Sequence, residues 1–374
     1  MALNPNDNRL FSLLMSGLWG IPPPSDLFIG INEEDWQYIF KQASKQGLMG
    51  IVYDGLSQSN KTVLPRSLQL TWAVNVDAME QRYNKHYQTL EQLTALYRQE
   101  GIRLMLLKGL GLAAAYPIPS HREGGDIDIY LFGDYEKGNS IMEAMEIKVD
   151  KGKTVNPKHS VFHFKSIPIE NHKWFLNYEY AFKHSKTIED KLYGLIDYKS
   201  CETLKIGNEM VYIPPPMFNA FYLIMHAVSH LSGFGVVVRH LCDWAVFLKK
   251  YHHNIDFEEL KTIFAETGFL KAVQVFTSLT VHYTGLPSEY AGPLYVPDPE
   301  LENKLLHKGI LHKVYEDVST IKHPFKVLYV KIIRLMENNK MNNLLHGRIF
   351  TLKYFYAILI KRLRYPRKIF RFPK

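Results

Sequence analysis

Apolar positions along this chain follow a helical period, then a strand period, then a helical period again. Up to about residue 100 the spacing is helical. Asn32, ahead of Glu33 and Glu34, is placed to cap a segment in which Trp36, Ile39, Phe40 and Ala43 recur every three or four residues. A longer helix is predicted over 68–98, stopped by Gly101. Residues 102–107 then form a short apolar run fit for a buried strand, ended by Lys108-Gly109. A small-residue helix over 110–116 is closed by Pro117 and Pro119. After a polar turn, residues 126–131 alternate polar and apolar as a half-buried strand does. A helix over 136–145 and strands over 147–149, 161–164 and 167–171 follow, then a hairpin of 203–206 with 210–213 about Gly207-Asn208. Pro214-Pro215-Pro216 marks a boundary. Beyond it, segments 217–231, 237–249, 257–267, 270–284, 301–312, 327–337 and 349–362 all carry apolar residues at i, i+3 and i+4.

The expected fold class is therefore α+β. A helical region over 1–100 precedes an α+β core over 101–213, and a helical domain with a basic tail occupies 214–374. The chain has 374 residues, long enough for two packed domains, and its 46% apolar and 22% charged content excludes wholesale disorder. Cys201 and Cys242 stand in unrelated contexts, which argues against a disulfide framework and fits a reducing cytoplasm. No signal-peptide pattern and no run of about 18 apolar residues is present, so the expectation is a cytoplasmic protein, soluble or peripheral to a membrane. The net charge of +8 is uneven: residues 321–374 hold 14 Lys or Arg against Glu337 alone, which leaves −5 for the rest.

The polar positions of the strand over 126–131 carry the first chemistry. Side chains at i and i+2 of a strand share a face, so Asp126 and Asp128 present two carboxylates a few ångströms apart while Ile127 faces the core. Like charges that close repel unless a cation intervenes, and hard divalent cations with oxygen ligands are natural occupants. Glu170, on the strand over 167–171, is the third ligand if that strand pairs beside the first. Such a trio holds two metals roughly 3.5–4 Å apart, clamping the attacking and leaving oxygens of an in-line phosphoryl or nucleotidyl displacement. Lys108-Gly109 sits at a strand-to-helix junction, where backbone N–H groups and the lysine charge favour an anion.

Leu106-Leu107-Lys108-Gly109, then Tyr116-Pro117, Arg122 and Gly125-Asp126-Ile127-Asp128, resembles the uncharacterised nucleotidyltransferase family of the polymerase-β-like superfamily. His159, the segment Ile169-Glu170-Asn171-His172, and His226 followed by Asp243 are also similar to that pattern, over about residues 85 to 280. The resemblance implies a small mixed sheet with helices, followed by a helical domain that closes over nucleotide. It implies Asp126, Asp128 and Glu170 as ligands of Mg²⁺ or Mn²⁺, Lys108-Gly109 as the phosphate turn, and a nucleoside triphosphate as substrate with an unknown acceptor. Better-characterised members have Gly-Gly or Gly-Ser at the turn where this chain has Lys108-Gly109-Leu110, so a serine hydroxyl is missing.

Arg122 is placed to pair with a phosphate or with Asp126, and His159 and His172 to reach a nucleotide or acceptor. His226 and His230 share a helix face by i, i+4 spacing and read as packing or interface residues; Arg239 and Asp243, spaced alike, read as an ion pair. The tail from Lys353 onward alternates cations with aromatics. Packing on the body is the first reading for it, an anionic membrane surface the second and nucleic acid the third. Two other functions share part of the pattern: a glycosyltransferase using Asp126-x-Asp128 to hold metal, and a non-catalytic adaptor that keeps the fold.

Overall fold

A computed structural model describes residues 3–57, 64–152, 158–176, 185–232, 236–311 and parts of 321–347. The helix expected over 349–362 and the tail residues from Lys353 onward lie outside the described residues. The described positions of 327–337 are helical. Among the described residues, no helix is long and apolar enough to cross a membrane.

Four helices come first: α1 (Pro5–Trp19), α2 (Glu33–Lys45), α3 (Met49–Ser57) and α4 (Arg66–Gln99). Asn32 does cap α2, in a reciprocal capping box with Asp35. Strand β1 (Met105–Leu106) leads into the four-residue helix α5 (Leu110–Ala113), then β2 (Ile127–Tyr130) and α6 (Tyr135–Ala144). β3 (His159–Phe164), β4 (Ile167–His172), α7 (Ser185–Gly194), β5 (Glu202–Ile206) and β6 (Glu209–Ile213) complete the mixed part. The helical remainder is α8 (Pro216–Ser232), α9 (Val238–Tyr251), α10 (Phe257–Thr267), α11 (Leu270–Thr284) and α12 (Pro299–Leu305), the last running into a π-helical turn over Leu306–Leu311.

The fold is α+β, with a six-stranded mixed sheet in the order β3-β4-β2-β1-β6-β5. β2 runs parallel to β4 and β1 parallel to β6, while the other pairs are antiparallel. Each face of the sheet is covered by its own core. On one face Ile127, Ile129, Leu131, Phe162 and Ile169 pack with Leu90, Leu93 and Tyr97 of α4 and Met142 of α6. On the other, Met105, Leu107 and Tyr130 join Phe175, Phe218 and Tyr222 in a core continuous with α1–α3 and α8–α11. The first three helices thus share apolar contacts with the last third of the chain; the Trp19 indole N–H, for example, donates to the Thr284 carbonyl.

Two expectations need correction. Residues 147–149 form no strand: Ile147 and Val149 are apolar because they pack against the α4-side core, and the backbone there pairs only through the isolated bridge Asp150–Val161. Helix α7 is absent from the sequence reading because Glu189 occupies a fully buried position between Ile188 and Leu192, which breaks the apolar pattern.

Candidate active site

Alternation along β2 sends Ile127 and Ile129 to the α4 side, so Asp126 and Asp128 face the helical side. The register then assembles the rest. Asp128 lies opposite Glu170 and Tyr130 opposite His172 in the β2–β4 pair, and His159 lies opposite His172 in the β3–β4 pair. Directly opposed residues share a face. Glu170 therefore stands beside Asp128 as the pattern required, and one oxygen from each of Asp126, Asp128 and Glu170 falls within 4.8 Å of the others. The Leu107 N–H donates to the Asp128 carbonyl at 3.1 Å, which sets Lys108 next to the same carboxylate.

The cation against Asp128 is the chain's own. Lys108 Nζ is 3.1 Å and His172 Nε2 2.9 Å from Asp128 Oδ1, with Asp128 and His172 both fully buried. Burial pushes the Asp128 carboxyl upward, but Lys108 and His172 outweigh it and hold the group well below the usual carboxylate range. Asp126 goes the other way: burial, then the charges of Asp128 and Glu170, raise it. Glu170 is lowered, its burial outweighed by His172 and His159. His159, half-buried, is pushed down to about 4, chiefly by burial.

Gly109 has φ +62° and ψ −115°, a backbone region that L side chains rarely adopt, and the turn it makes brings its Cα side against the Asp126 carbonyl. Helix α5 behind it is a single turn, so the anion-binding power expected of this junction rests on Lys108 rather than on a helix dipole.

Arg122 does not meet Asp126. Its guanidinium binds Asp243 of α9 bidentately, Nε to Oδ1 at 2.8 Å and NH2 to Oδ2 at 2.9 Å, and the Tyr116 hydroxyl donates to Oδ1 at 2.6 Å. Arg239, expected as the partner of Asp243, is a weaker second at 3.9 Å. The turn before Asp126 is further pinned by His121, held between Asp54 of α3 and Glu80 of α4 at 2.8 Å each, and by His86 of α4, 2.8 Å from the Gly125 carbonyl.

A shallow cleft opens beside Asp126, walled by Met79, Arg82 and Tyr83 of α4 and by Leu110 and Ala113 of α5. No spacing in the α4 sequence marks these residues, since they face a partner 27 to 47 positions away in the chain. Three further groups also escaped the sequence reading. Lys158 is lowered by burial and by Lys108, with Asp128, Glu170 and Glu189 acting against the shift. His240 of α9 joins His226 and His230 of α8, with ring centroids 4.5 to 6.0 Å apart. All three are depressed by burial, and Lys108 adds to this at His226 and His230, so neutral imidazoles line the helical side near the lysines.

Glu189 is the third. It accepts the backbone N–H groups of Phe175 at 2.6 Å and Leu176 at 3.0 Å, yet burial pushes its carboxyl up to about 7. A carboxyl raised on folding binds its proton more tightly in the folded state. Its contribution is fully present below the unfolded value of 4.5 and is lost as pH rises through about 7. The loss is roughly 3 kcal/mol. Melting temperature measured from pH 5 to 8 should fall less steeply in Glu189→Gln than in the unsubstituted chain; parallel curves would remove Glu189 as the source.

No curated protein matches the chain. A fold comparison pairs it with an antigenic nucleotidyltransferase-like protein from Paracoccidioides brasiliensis at 13% identity, covering 57% of this chain and 96% of that one, with a TM-score of 0.31. A likeness that weak adds nothing to the reading of the site. The family model described as uncharacterised nucleotidyltransferase matches residues 32–285, which takes in all six strands, every residue of the acidic cluster and the Arg122–Asp243 pair. The chain belongs to the uncharacterised nucleotidyltransferase family.

Proposed function

We propose that this protein transfers a nucleoside monophosphate from a nucleoside triphosphate to an acceptor hydroxyl. The observation that carries the reading is the convergence of Asp126, Asp128 and Glu170 on one sheet face, their oxygens within 4.8 Å, beside a cleft. An all-oxygen donor set suits Mg²⁺ or Mn²⁺; the Asp126 carboxyl is raised first by burial and then by the charges of Asp128 and Glu170, and it is the second part that such an ion relieves. Bound there, the ion supplies charge neutralisation for the triphosphate.

The chain's own residues do the rest. Of the three clustered carboxylates, Asp126 is the one that lines the cleft, where Glu123 also stands, so an acceptor hydroxyl seated against Tyr83 and Leu110 reaches the cluster through Asp126. Its oxygen takes the hydroxyl proton as the acceptor oxygen bonds to the α-phosphorus and the bond to the β-phosphate oxygen breaks, with pyrophosphate leaving. Lys108, once released from Asp128, and Lys158 offer the ammonium groups for the departing phosphates. Arg122 acts through position: its bond to Asp243 ties the turn before Asp126 to α9.

A glycosyltransferase reading gives no role to Glu170 or Lys108, both of which touch this cluster. Thermal shift separates the two. A nucleoside triphosphate with Mg²⁺ should stabilise the protein, by about 2.7 kcal/mol at a hundredfold excess over Kd. Stabilisation by nucleotide-sugars with Mn²⁺ in preference would overturn the proposal, and indifference to both would favour the adaptor.

A further inference from the structure

A second donor set on the same sheet face shares Glu170 with the acidic cluster. His159 Nδ1 lies 3.4 Å and His172 Nε2 3.5 Å from Glu170 Oε2, and the three atoms fall within 4.8 Å of one another. A divalent ion bound at about 2.0–2.1 Å in tetrahedral geometry needs ligand atoms about 3.4 Å apart, and both nitrogens stand at about that distance from the Glu170 oxygen.

The two nitrogens reach the site differently, His159 Nδ1 without a partner and His172 Nε2 on Asp128. The Nδ1 of His159 is a buried atom with no hydrogen-bond partner: its contact with Glu170 has the distance but not the alignment of a bond. An orphaned ring nitrogen is costly unless something else fills its lone pair. His172 Nδ1 stands 3.2 Å from the Trp174 carbonyl. A carbonyl only accepts, so that nitrogen keeps its N–H, and Nε2, which lies 2.9 Å from Asp128 Oδ1 and faces Glu170, is the nitrogen that gives up its proton when an ion takes the seat. A backbone carbonyl fixing one ring nitrogen while the other points into a site is the arrangement that orients metal-bound histidines.

We infer that His159, Glu170 and His172 form a second cation seat, selective for a borderline divalent transition ion such as Zn²⁺ or Co²⁺ over Mg²⁺. Imidazole nitrogen favours such ions, whereas the neighbouring Asp126–Asp128–Glu170 set is all oxygen. Glu170 belongs to both sets, and to that extent the inference rests on the reading above. Strand register is what makes the second seat: β3 sets His159 across from His172, and β4 sets His172 two residues beyond Glu170 on the same face.

Visible absorption of Co²⁺ added to the full chain in excess Mg²⁺ tests this. Nitrogen-ligated Co²⁺ should give d–d bands that Zn²⁺ abolishes, and Asp126→Asn should keep them. His159→Gln, at a partly exposed ring, should weaken Co²⁺ binding at least about tenfold; His172→Asn should do the same wherever it folds. Bands unchanged in His159→Gln would place the ion elsewhere, and Co²⁺ binding that Mg²⁺ competes away would assign it to the carboxylate set; either overturns the inference. So would absence of Co²⁺ binding. None of these results bears on nucleotidyl transfer, which is decided separately by the Asp126→Asn transfer assay.

Discussion

Asp126→Asn should abolish Mg²⁺-dependent transfer of a labelled nucleoside monophosphate while leaving the metal-free melting temperature unchanged or slightly higher. Asp126 is held up by burial and by the charges of Asp128 and Glu170, and no ion pair is formed by it among the described residues. A carboxyl raised on folding opposes the fold once pH exceeds its unfolded value, so an uncharged amide relieves that repulsion. Loss of a ligand and proton acceptor removes several kcal/mol of transition-state stabilisation, or about three orders of magnitude in rate. Two residues along the same strand the effect on stability reverses. Asp128→Asn strands Lys108 and buried His172 without their carboxylate, a change of about 3–5 kcal/mol against the fold. Calorimetry in chelator beside the transfer assay separates the two. Full activity in Asp126→Asn would remove it from the mechanism, and equal melting of the two variants would refute the account of which charges neutralise which.

Breaking the Arg122–Asp243 pair should have the other large effect. Both residues are 7% exposed and joined by two bonds of 2.8 and 2.9 Å, with Tyr116 adding a third to the same carboxylate. Burial pushes Asp243 upward, but Arg122 and then Arg239 bring it down to about 2. A lowered carboxyl contributes stability above its unfolded value of 3.8 that is lost as pH falls through about 2, so the pair is intact at neutral pH. Asp243→Leu leaves a buried guanidinium facing an apolar side chain and should lose about 3–5 kcal/mol, while Asp243→Leu with Arg122→Met should recover most of it. Because the bond ties the turn before Asp126 to α9, the double variant should bind nucleotide more weakly even when restored in stability. A single variant that melts with the unsubstituted chain would show that solvent reaches the pair.

The elements that depend on local period were legible. Asn32 and the Trp36–Ile39–Ala43 face announce α2, the Gly207-Asn208 turn announces the β5–β6 hairpin, and the i, i+2 spacing of Asp126 and Asp128 assigns them a common face with Ile127 opposite. Each follows from backbone geometry within a few residues. Glu170 was legible as the third carboxylate of the cluster only on the condition that its strand pair beside Asp128, and that condition is a register, which pairing of β2 with β4 decides.

Whatever joins distant positions came from tertiary structure alone. His172 meets Asp128 across 44 residues and Arg122 meets Asp243 across 121, and nothing in either segment encodes the partner's distance. The acidic pattern implied a divalent cation, and the fold sets Lys108 against Asp128 as well because Leu107 pairs with the Asp128 backbone. Glu189 was invisible because a polar residue reads as surface until packing buries it, and the α4 wall of the cleft because its residues face partners distant in the chain. The sequence by itself determined which residue types share a face. Packing of the sheet against α4 on one side and α8–α9 on the other decided which of those faces meet.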